Sequence, residues 1–283
     1  MTSLKKSNKD VFSLLAKLSA KKLTISIALA FIVIFLAQCN LSKDNPEGYV
    51  EEYYSTGVLK TSYTIKDGKL NGVVKNYNEK GRLISTVEYK DDKKNGKLVN
   101  YNSKNGKPMI VAYFNDNIQE GPVTQYYDEG QLFRTSTYLN GRINDTVKTF
   151  WPNGKIKAIN VYKMGMPAIG LKEYDKNGQL LKQPQLVIQE IDQTALLNKV
   201  ILKISVSGDW ENVDYYEANL VEGKYFQESA INALMDKNGV VTIDYPAPKG
   251  NTYMEKLSIV AKVKTRYGNT LILHKYHNLS IMN

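Results

Sequence analysis

Between residues 49 and 183, apolar and polar side chains alternate in short runs, and each run ends at turn-forming residues. In "GRLISTVEY", residues 81–89, Leu83, Val87 and Tyr89 fall on one side of an extended chain and Ile84 on the other. A period of two predicts β-strands that are buried on one face and exposed on the other. The frequent tyrosines fit this pattern, because a tyrosine ring packs on a pleated surface while its hydroxyl remains in water.

The alternating runs recur with a period of 24 or 25 residues. Each unit opens on an aromatic residue, and these are Tyr53, Tyr77, Tyr101, Tyr126, Phe150 and Tyr174. A turn ending in glycine follows each of them, at Gly57, Gly81, Gly106, Gly130, Gly154 and Gly178. A tyrosine is expected to mark the next strand twelve residues after the opening aromatic, at Tyr89, Tyr113, Tyr138 and Tyr162.

A second glycine closes most units, and its position predicts a second turn. The residues at this position are Gly72, Gly96, Gly121 and Gly170, with Asp145 in the fourth unit. Two strands and two tight turns in 24 residues allow only antiparallel neighbours. One such hairpin cannot bury its apolar face alone, so the units are expected to pair side by side. The sequence therefore predicts an all-β fold that begins with an elongated antiparallel β-meander.

The repeat unit resembles the variant MORN (membrane occupation and recognition nexus) repeats of bacterial proteins. Those repeats also read aromatic, turn, glycine, strand, tyrosine, turn and glycine, and the resemblance extends from about Tyr53 to Leu181. It implies an extended β-meander that serves as a scaffold or binding surface. Many bacterial proteins of this family are labelled as antitoxin-like, so the resemblance also implies an immunity or antitoxin-like protein as the alternative.

The period ends at Pro184, and about seven apolar-rich runs follow over residues 184–283. Their spacing predicts a β-sandwich, which resembles immunoglobulin-like accessory domains but lacks their paired cysteines. The run "SAINALM" is also compatible with a short helix. A repeat sheet ends in an unpaired edge, so this domain is expected either to cap that edge or to bind a partner through its loops. The predicted domains are thus a repeat sheet, residues 49–183, and a sandwich, residues 184–283.

The N-terminal segment, residues 1–39, has the layout of an export signal. A lysine-rich stretch precedes an uncharged apolar run from Leu23 to Ala37, and Cys39 follows. "LAQC" resembles the lipidation site of bacterial lipoproteins, although Gln38 stands where a small residue is expected. Three alternatives remain, namely lipidation at Cys39, an uncleaved signal anchor helix, and ordinary cleavage. All three place the body of the protein outside the cytoplasm, and lipidation or an anchor would hold it at the cell envelope with residues 40–48 as a tether, whereas ordinary cleavage would release it.

The net charge of +10 does not indicate a nucleic-acid-binding protein. Six of the 38 basic residues lie in the first 39 positions, and the others are spread over turns instead of forming a patch. The expected partners are therefore the membrane, through the lipid or anchor, and an unknown protein or glycan.

No sequence motif indicates catalysis, a cofactor or a metal. The two histidines, His274 and His277, are three residues apart and would face opposite sides of a strand, which disfavours a shared metal site. The chain has no phosphate-binding glycine loop and no G-x-S-x-G elbow. We therefore expect a protein that acts by binding.

Large aromatic residues outside the regular strand pattern are the candidate binding residues. They are Trp151, Tyr126, Tyr127 and Trp210. Such rings stack on sugars or anchor protein partners, although a packing role is the simpler interpretation. Function is expected on the assembled sheet and at departures from the period, such as Trp151 and Asp145.

Overall fold

The computed structural model describes residues 47–283 except 211, 229–231 and 235. The predicted export signal, Cys39 and almost all of the tether lie outside the described residues. The described chain divides into two compact parts, which are not the repeat units. The first includes residues 47–48 and Ile65–Gly68, where the Glu47 carboxylate accepts a hydrogen bond from the backbone N–H of Asp67 at 3.1 Å. The second comprises Tyr49–Thr64 and Lys69–Asn283.

The described residues are nearly all β-structure. The strands of the repeat region are β1 (Gly48–Tyr53), β2 (Leu59–Lys66), β3 (Lys69–Tyr77), β4 (Leu83–Lys90), β5 (Lys93–Tyr101), β6 (Pro108–Asn115), β7 (Ile118–Gln119), β8 (Gly121–Tyr126), β9 (Leu132–Leu139), β10 (Arg142–Phe150), β11 (Ile156–Lys163), β12 (Met166–Pro167) and β13 (Lys172–Glu173). They form one sheet in the order β1-β2-β3-β4-β5-β6-β8-β9-β10-β11-β12, with β7 beside β6 and β13 beside β11. This confirms the antiparallel meander.

The second turn of each repeat unit lies at a different position from the one that the sequence predicted. Strands are joined by two-residue turns at Asp67-Gly68, Asp91-Asp92, Asp116-Asn117, Asn140-Gly141 and Met164-Gly165. Both residues of each turn have positive φ, as type I′ hairpins require. The assignment of this turn to Gly72, Gly96, Gly121 and Gly170 was therefore wrong.

Four of the five residues at that position lie in or beside β-bulges of the return strands. For example, the pairing of β4 with β5 shifts between Val87 and Tyr89 of β4, and Gly96 of β5, with φ of 113°, lies opposite the shift. Asp145 occupies the same place in β10 with φ of 71°. A bulge inserts one residue and often needs positive φ, which glycine supplies without steric cost. Sequence alone does not distinguish a positive-φ glycine in a bulge from one in a turn.

The third unit also differs from its predicted register. Its first turn, "YNSKNG", has one more residue than the others, and the extra residue shifts the following strand. Phe114 pairs with Gly96, as Tyr89 pairs with Gly72 and Tyr138 with Gly121. The assignment of this strand position to Tyr113 was therefore wrong, because Tyr113 lies on the opposite face and is 37% exposed.

Neighbouring repeats are joined by side-chain hydrogen bonds as well as by strand pairing. Tyr54 and Tyr127, each following an opening aromatic, donate their hydroxyl hydrogens to the carbonyls of Tyr77 and Phe150, at 2.8 and 2.7 Å. The Arg82 guanidinium, after the glycine of its turn, donates to backbone carbonyls of the next turn. Each turn is thus completed by the unit that follows, which explains physically why the unit is repeated.

The C-terminal region contains two four-stranded sheets. Its strands and short helix are β14 (Leu186–Gln193), α1 (Thr194–Leu197), β15 (Lys199–Val206), β16 (Val213–Glu217), β17 (Asn232–Leu234), β18 (Asp236–Lys237), β19 (Val240–Pro246), β20 (Thr252–Lys264) and β21 (Thr270–Met282). The sheets have the orders β14-β15-β19-β18 and β17-β16-β20-β21. Leu202 and Ile204 from the first sheet and Ile259 and Leu271 from the second are fully buried in one apolar cluster.

The C-terminal region also covers the last strand of the repeat sheet. The backbone N–H of Phe226 donates to the Pro167 carbonyl at 2.9 Å, and that of Ile169 donates to the Lys224 carbonyl at 2.9 Å. Ala168 forms a β-bridge with Tyr225. Backbone groups at the end of β12 are thereby paired, so this edge of the repeat sheet is covered.

Within the described residues, no helix is both long enough and apolar enough to cross a membrane.

Candidate functional site

One face of the repeat sheet carries a row of aromatic side chains. The row comprises Tyr89, Phe114, Tyr138 and Tyr162, all half-buried. Their cross-strand partners are Gly72, Gly96, Gly121 and Asp145, all with positive φ. Three of these four partners are glycine, which adopts positive φ without steric cost. We call this surface the aromatic face.

A second row of small and apolar residues runs beside the aromatic residues on the same face. Two residues before each aromatic lie Val87, Ala112, Ser136 and Asn160, all buried. Side chains two apart in a strand share a face, so the two rows form one continuous strip across the sheet. The ammonium of Lys94 lies 5.4 Å from the Phe114 ring centroid, a cation–π distance. The strip therefore combines apolar surface with a positive charge near its centre.

The C-terminal region occupies the end of the aromatic face. The Asn160 side-chain amide donates to the Thr270 carbonyl at 3.2 Å. Ala158, two residues before Asn160 in β11, belongs to the same buried cluster as the C-terminal sheets. The β20–β21 hairpin thus packs on the aromatic face, which shows that this face accepts a β-hairpin.

Trp151 lies in this intramolecular contact instead of on a free turn. Its ring packs edge to face on Tyr267, with centroids 5.2 Å apart, and its indole N–H donates to the Tyr174 carbonyl at 3.1 Å. The Lys157 ammonium lies 4.6 Å from the Trp151 ring centroid and 4.9 Å from that of Tyr267. Trp151 therefore stabilises the contact between repeat sheet and C-terminal region, a role that no sequence signal distinguished from binding.

Tyr126 and Tyr127 line a shallow cavity of about 520 Å³ at the turn edge of the sheet, with Phe133 and Pro152. Tyr127 packs edge to face on Phe133 at 5.0 Å between centroids. Burial raises the pKa of the Tyr127 hydroxyl, which donates to the Phe150 carbonyl. Tyr127 is thus held by packing and a hydrogen bond, whereas Tyr126 supplies a half-buried ring to the cavity wall.

Trp210 lines a larger cavity, of about 640 Å³, between the repeat sheet and the C-terminal sheets. Its indole N–H donates to the Ser207 carbonyl at 3.1 Å, and its ring packs against the apolar cluster. Charged residues from both sides line the same cavity, among them Lys182, Asp209 and Arg266. A concave site with apolar walls and a few polar groups is typical of ligand binding.

Hydrogen bonds fix the wall of this cavity. The Glu173 carboxylate accepts hydrogen bonds from the Thr265 hydroxyl and the Asn269 side-chain amide, both at 2.6 Å. Glu173 belongs to the repeat sheet, and its two partners lie in the loop between β20 and β21. Hydrogen bonds between the repeat sheet and the β20–β21 loop therefore hold this wall of the cavity in place. Sequence reasoning missed Glu173, Arg266 and Tyr267, because their proximity arises only in the folded chain.

The two histidines have separate surroundings. The His274 ring nitrogen Nε2 lies 2.9 Å from the Ser258 hydroxyl, which itself donates to the Ala218 carbonyl at 2.7 Å. Burial lowers the pKa of His274. His277 instead lies 3.2 Å from the Glu190 carboxylate. Among residues 47–283 that the structure describes, no cluster of three side chains is arranged to hold a metal ion.

A comparison with known solved structures finds a likeness to the extracellular domain of BT4673 from B. thetaiotaomicron. The two chains are 11% identical with a TM-score of 0.19, and the match covers 83% of this chain and 36% of that one. At this TM-score, neither fold nor function is inferred from the likeness. No curated protein sequence matches the chain.

A comparison with protein families finds the MORN repeat variant at three places, residues 70–91, 119–140 and 146–164. Each matched segment contains a return strand and the strand that follows it, namely β3 with β4, β8 with β9, and β10 with β11. The third unit, with its longer turn, lies between the first two matches. The chain therefore carries MORN variant repeats within its β-meander.

Proposed function

We propose that this protein is a membrane-tethered, extracytoplasmic binding or scaffold protein that acts without catalysis. The aromatic face of its repeat sheet would bind a protein or another component of the cell envelope. We further propose that the C-terminal region is an immunoglobulin-like sandwich that caps the sheet. The N-terminal layout and Cys39 support export and tethering.

A single observation carries the binding proposal, namely the β20–β21 hairpin packed on one end of the aromatic face. The amide of Asn160 and the apolar surface of Ala158 already engage that hairpin. The same face continues past Tyr138, Phe114 and Tyr89 with the same sequence of ring and small residue. A partner with an extended segment or hairpin would find a comparable strip there, with Ser136, Ala112 and Val87 at the positions that correspond to Asn160.

Pull-down from membrane fractions tests the binding proposal. We expect the wild-type protein to retain a partner that a Phe114→Ala, Tyr138→Ala double variant releases, because two aromatic anchors are lost. Tyr113→Ala, on the opposite face, is the matched control and should retain the partner. Recovery of one toxin, together with protection of cells from it, would instead support an immunity protein. Equal recovery by all variants would contradict binding at the aromatic face.

The tether is tested separately with Cys39→Ala. If Cys39 carries a lipid, wild-type protein incorporates a fatty-acid label and the variant does not. Identical membrane partition of the two proteins, without label in either, would contradict lipidation and leave the uncleaved anchor as the explanation of membrane association.

A further inference from the structure

A third cavity, of about 360 Å³, lies between the repeat sheet and the loop joining β20 to β21. Its charged lining residues are Arg134 from β9, Lys157 from β11 and Lys264 from the end of β20. None of the described residues that line it is an aspartate or glutamate. Three cations around one small cavity create a positive potential that the lining itself does not neutralise.

These cations are not committed to carboxylates elsewhere in the described chain. None of the ion pairs formed by residues 47–283, as far as they are described, includes Arg134, Lys157 or Lys264. Lys157 is held instead by the rings of Trp151 and Tyr267. A cation–π contact fixes the position of an ammonium group without cancelling its charge.

Two buried polar atoms of the cavity lack hydrogen-bond partners. They are Arg134 Nε and the Thr149 hydroxyl oxygen, and within the described residues no other buried side-chain nitrogen or oxygen is without a partner. Both residues line this cavity. Buried polar groups in native proteins are almost always paired, so an unpaired donor indicates a bound water or ion. Both atoms have a hydrogen available for an acceptor.

Two further polar side chains of the lining are already engaged. The Asn160 amide donates to the Thr270 carbonyl, and the Asn269 amide donates to Glu173. These two residues shape the cavity walls, whereas Arg134 Nε and the Thr149 hydroxyl are buried there without a hydrogen-bond partner. These two donors and the three positive charges therefore select an acceptor that carries negative charge.

We propose that this cavity binds an oxyanion of the phosphate or sulfate class. Such an anion would accept hydrogen bonds from Arg134 and Thr149, while Lys157 and Lys264 supply further positive charge. Three cations match a group with more than one negative charge better than a single carboxylate. The volume fits one such group or the end of a small anionic ligand. Asn160 and Tyr162 of its lining lie at the end of the aromatic face where the β20–β21 hairpin packs, so this site differs in place and ligand from the partner surface proposed along the rest of that face.

Calorimetric titration of the full chain with inorganic phosphate tests the proposal, at constant ionic strength in chloride buffer. We expect saturable binding of one phosphate, and weaker binding of acetate. Arg134→Gln and Lys264→Gln should each weaken phosphate binding by roughly tenfold or more, since each removes a charge-assisted interaction. Lys148→Gln is the matched control, because Lys148 is exposed on β10 and faces away from the cavity. A sulfate titration should give binding similar to that of phosphate.

Three results would overturn the proposal. Absence of saturable phosphate binding would mean that water satisfies the two donors. Equal weakening by Lys148→Gln and Lys264→Gln would mean that phosphate associates with surface charge in general. Acetate binding as tight as phosphate binding would reject the ligand class. If Arg134→Gln does not fold, Lys264→Gln decides alone, since the Lys264 side chain is exposed and its loss leaves the packing intact.

Discussion

The indole ring of Trp151 and the phenol ring of Tyr267 meet at an angle of 88°, with their centroids 5.2 Å apart. Trp151 lies in a repeat turn, and Tyr267 lies in the loop between β20 and β21. The contact therefore joins two regions that are 116 residues apart in the chain. It places a residue that departs from the repeat period at the point where the meander meets the C-terminal sheets.

Loss of this contact should destabilise the protein. We expect Trp151→Ala to lower the free energy of unfolding by about 2 kcal/mol, less than for a fully buried ring, because Trp151 is half-buried. Combined with Tyr267→Ala in a double-mutant cycle, it should give a coupling of about 1 kcal/mol. Urea unfolding followed by tryptophan fluorescence and circular dichroism measures both. Additive effects of the two substitutions would show that the rings do not interact energetically.

A side chain at Gly96 should destabilise the protein. Its φ of 113° is unfavourable for other residues, and an added Cβ would lie 2.0 Å from the Glu88 carboxylate oxygen Oε2. Gly96→Ala should therefore cost about 1–3 kcal/mol of stability. Lys97→Ala, at the next and exposed position, should change stability by less than about 0.5 kcal/mol. Equal stability of the two variants in thermal unfolding would contradict the bulge assignment.

Asp145 should behave in the opposite way. It holds the left-handed conformation that glycine adopts in the other units, stabilised locally by a hydrogen bond from the Thr146 backbone N–H to its carboxylate at 2.7 Å. Asp145→Gly should change stability by less than about 1 kcal/mol, because the relief of backbone strain offsets the loss of this hydrogen bond. Asp145→Ala should be destabilising, since alanine retains the strain and loses the hydrogen bond. A destabilised Asp145→Gly protein in thermal unfolding would indicate a further role for this carboxylate.

The period of the repeats could be predicted from the sequence, whereas the position of the second turn could not. The glycine in "KKNG" has the composition of a hairpin turn, yet Gly96 lies in a bulge and the turn forms at Asp91-Asp92. Pairs rich in Asp, Asn and Gly recur every 24 or 25 residues, and this recurrence was the available sequence signal for the second turn. The extra residue in "YNSKNG" similarly moved the aromatic position from Tyr113 to Phe114.

The candidate site was less predictable, because its parts come from distant segments. Trp210 was identified as a large ring, but its cavity also requires Arg266 and Tyr267 from another loop. Arg134, in an otherwise regular strand, carried no sequence signal at all. Packing between the repeat sheet and the β20–β21 hairpin creates these sites, and side-chain periodicity does not describe such packing.

The hydrogen bonds between repeat turns should contribute measurably to stability. Tyr127→Phe removes the bond to the Phe150 carbonyl and leaves the ring packing on Phe133 in place. The expected loss is about 1 kcal/mol in urea unfolding. Tyr126→Phe is the neighbouring control and should cost less. A larger loss for Tyr126→Phe would contradict the role assigned to the Tyr127 hydroxyl.

Stability should depend on the protonation of His274. Burial lowers the pKa of His274 in the folded state, whereas in the unfolded chain its pKa keeps the ordinary value of about 6.5. Near and below pH 6.5 the unfolded chain therefore binds a proton more readily than the folded protein does. Stability should therefore decrease as the pH falls through this range, until the folded state is also protonated. His274→Gln should weaken this dependence in denaturant titrations between pH 7.5 and 5. An unchanged slope in the variant would contradict the role of His274.

Site-specific photo-crosslinking in cells tests the central claim most directly. A photoreactive amino acid replaces Phe114 on the aromatic face or the adjacent Tyr113 on the opposite face. The proposed binding face predicts a discrete crosslinked partner from position 114 and little or none from position 113. Crosslinks of equal yield from both positions, or from position 113 alone, would contradict binding at the aromatic face.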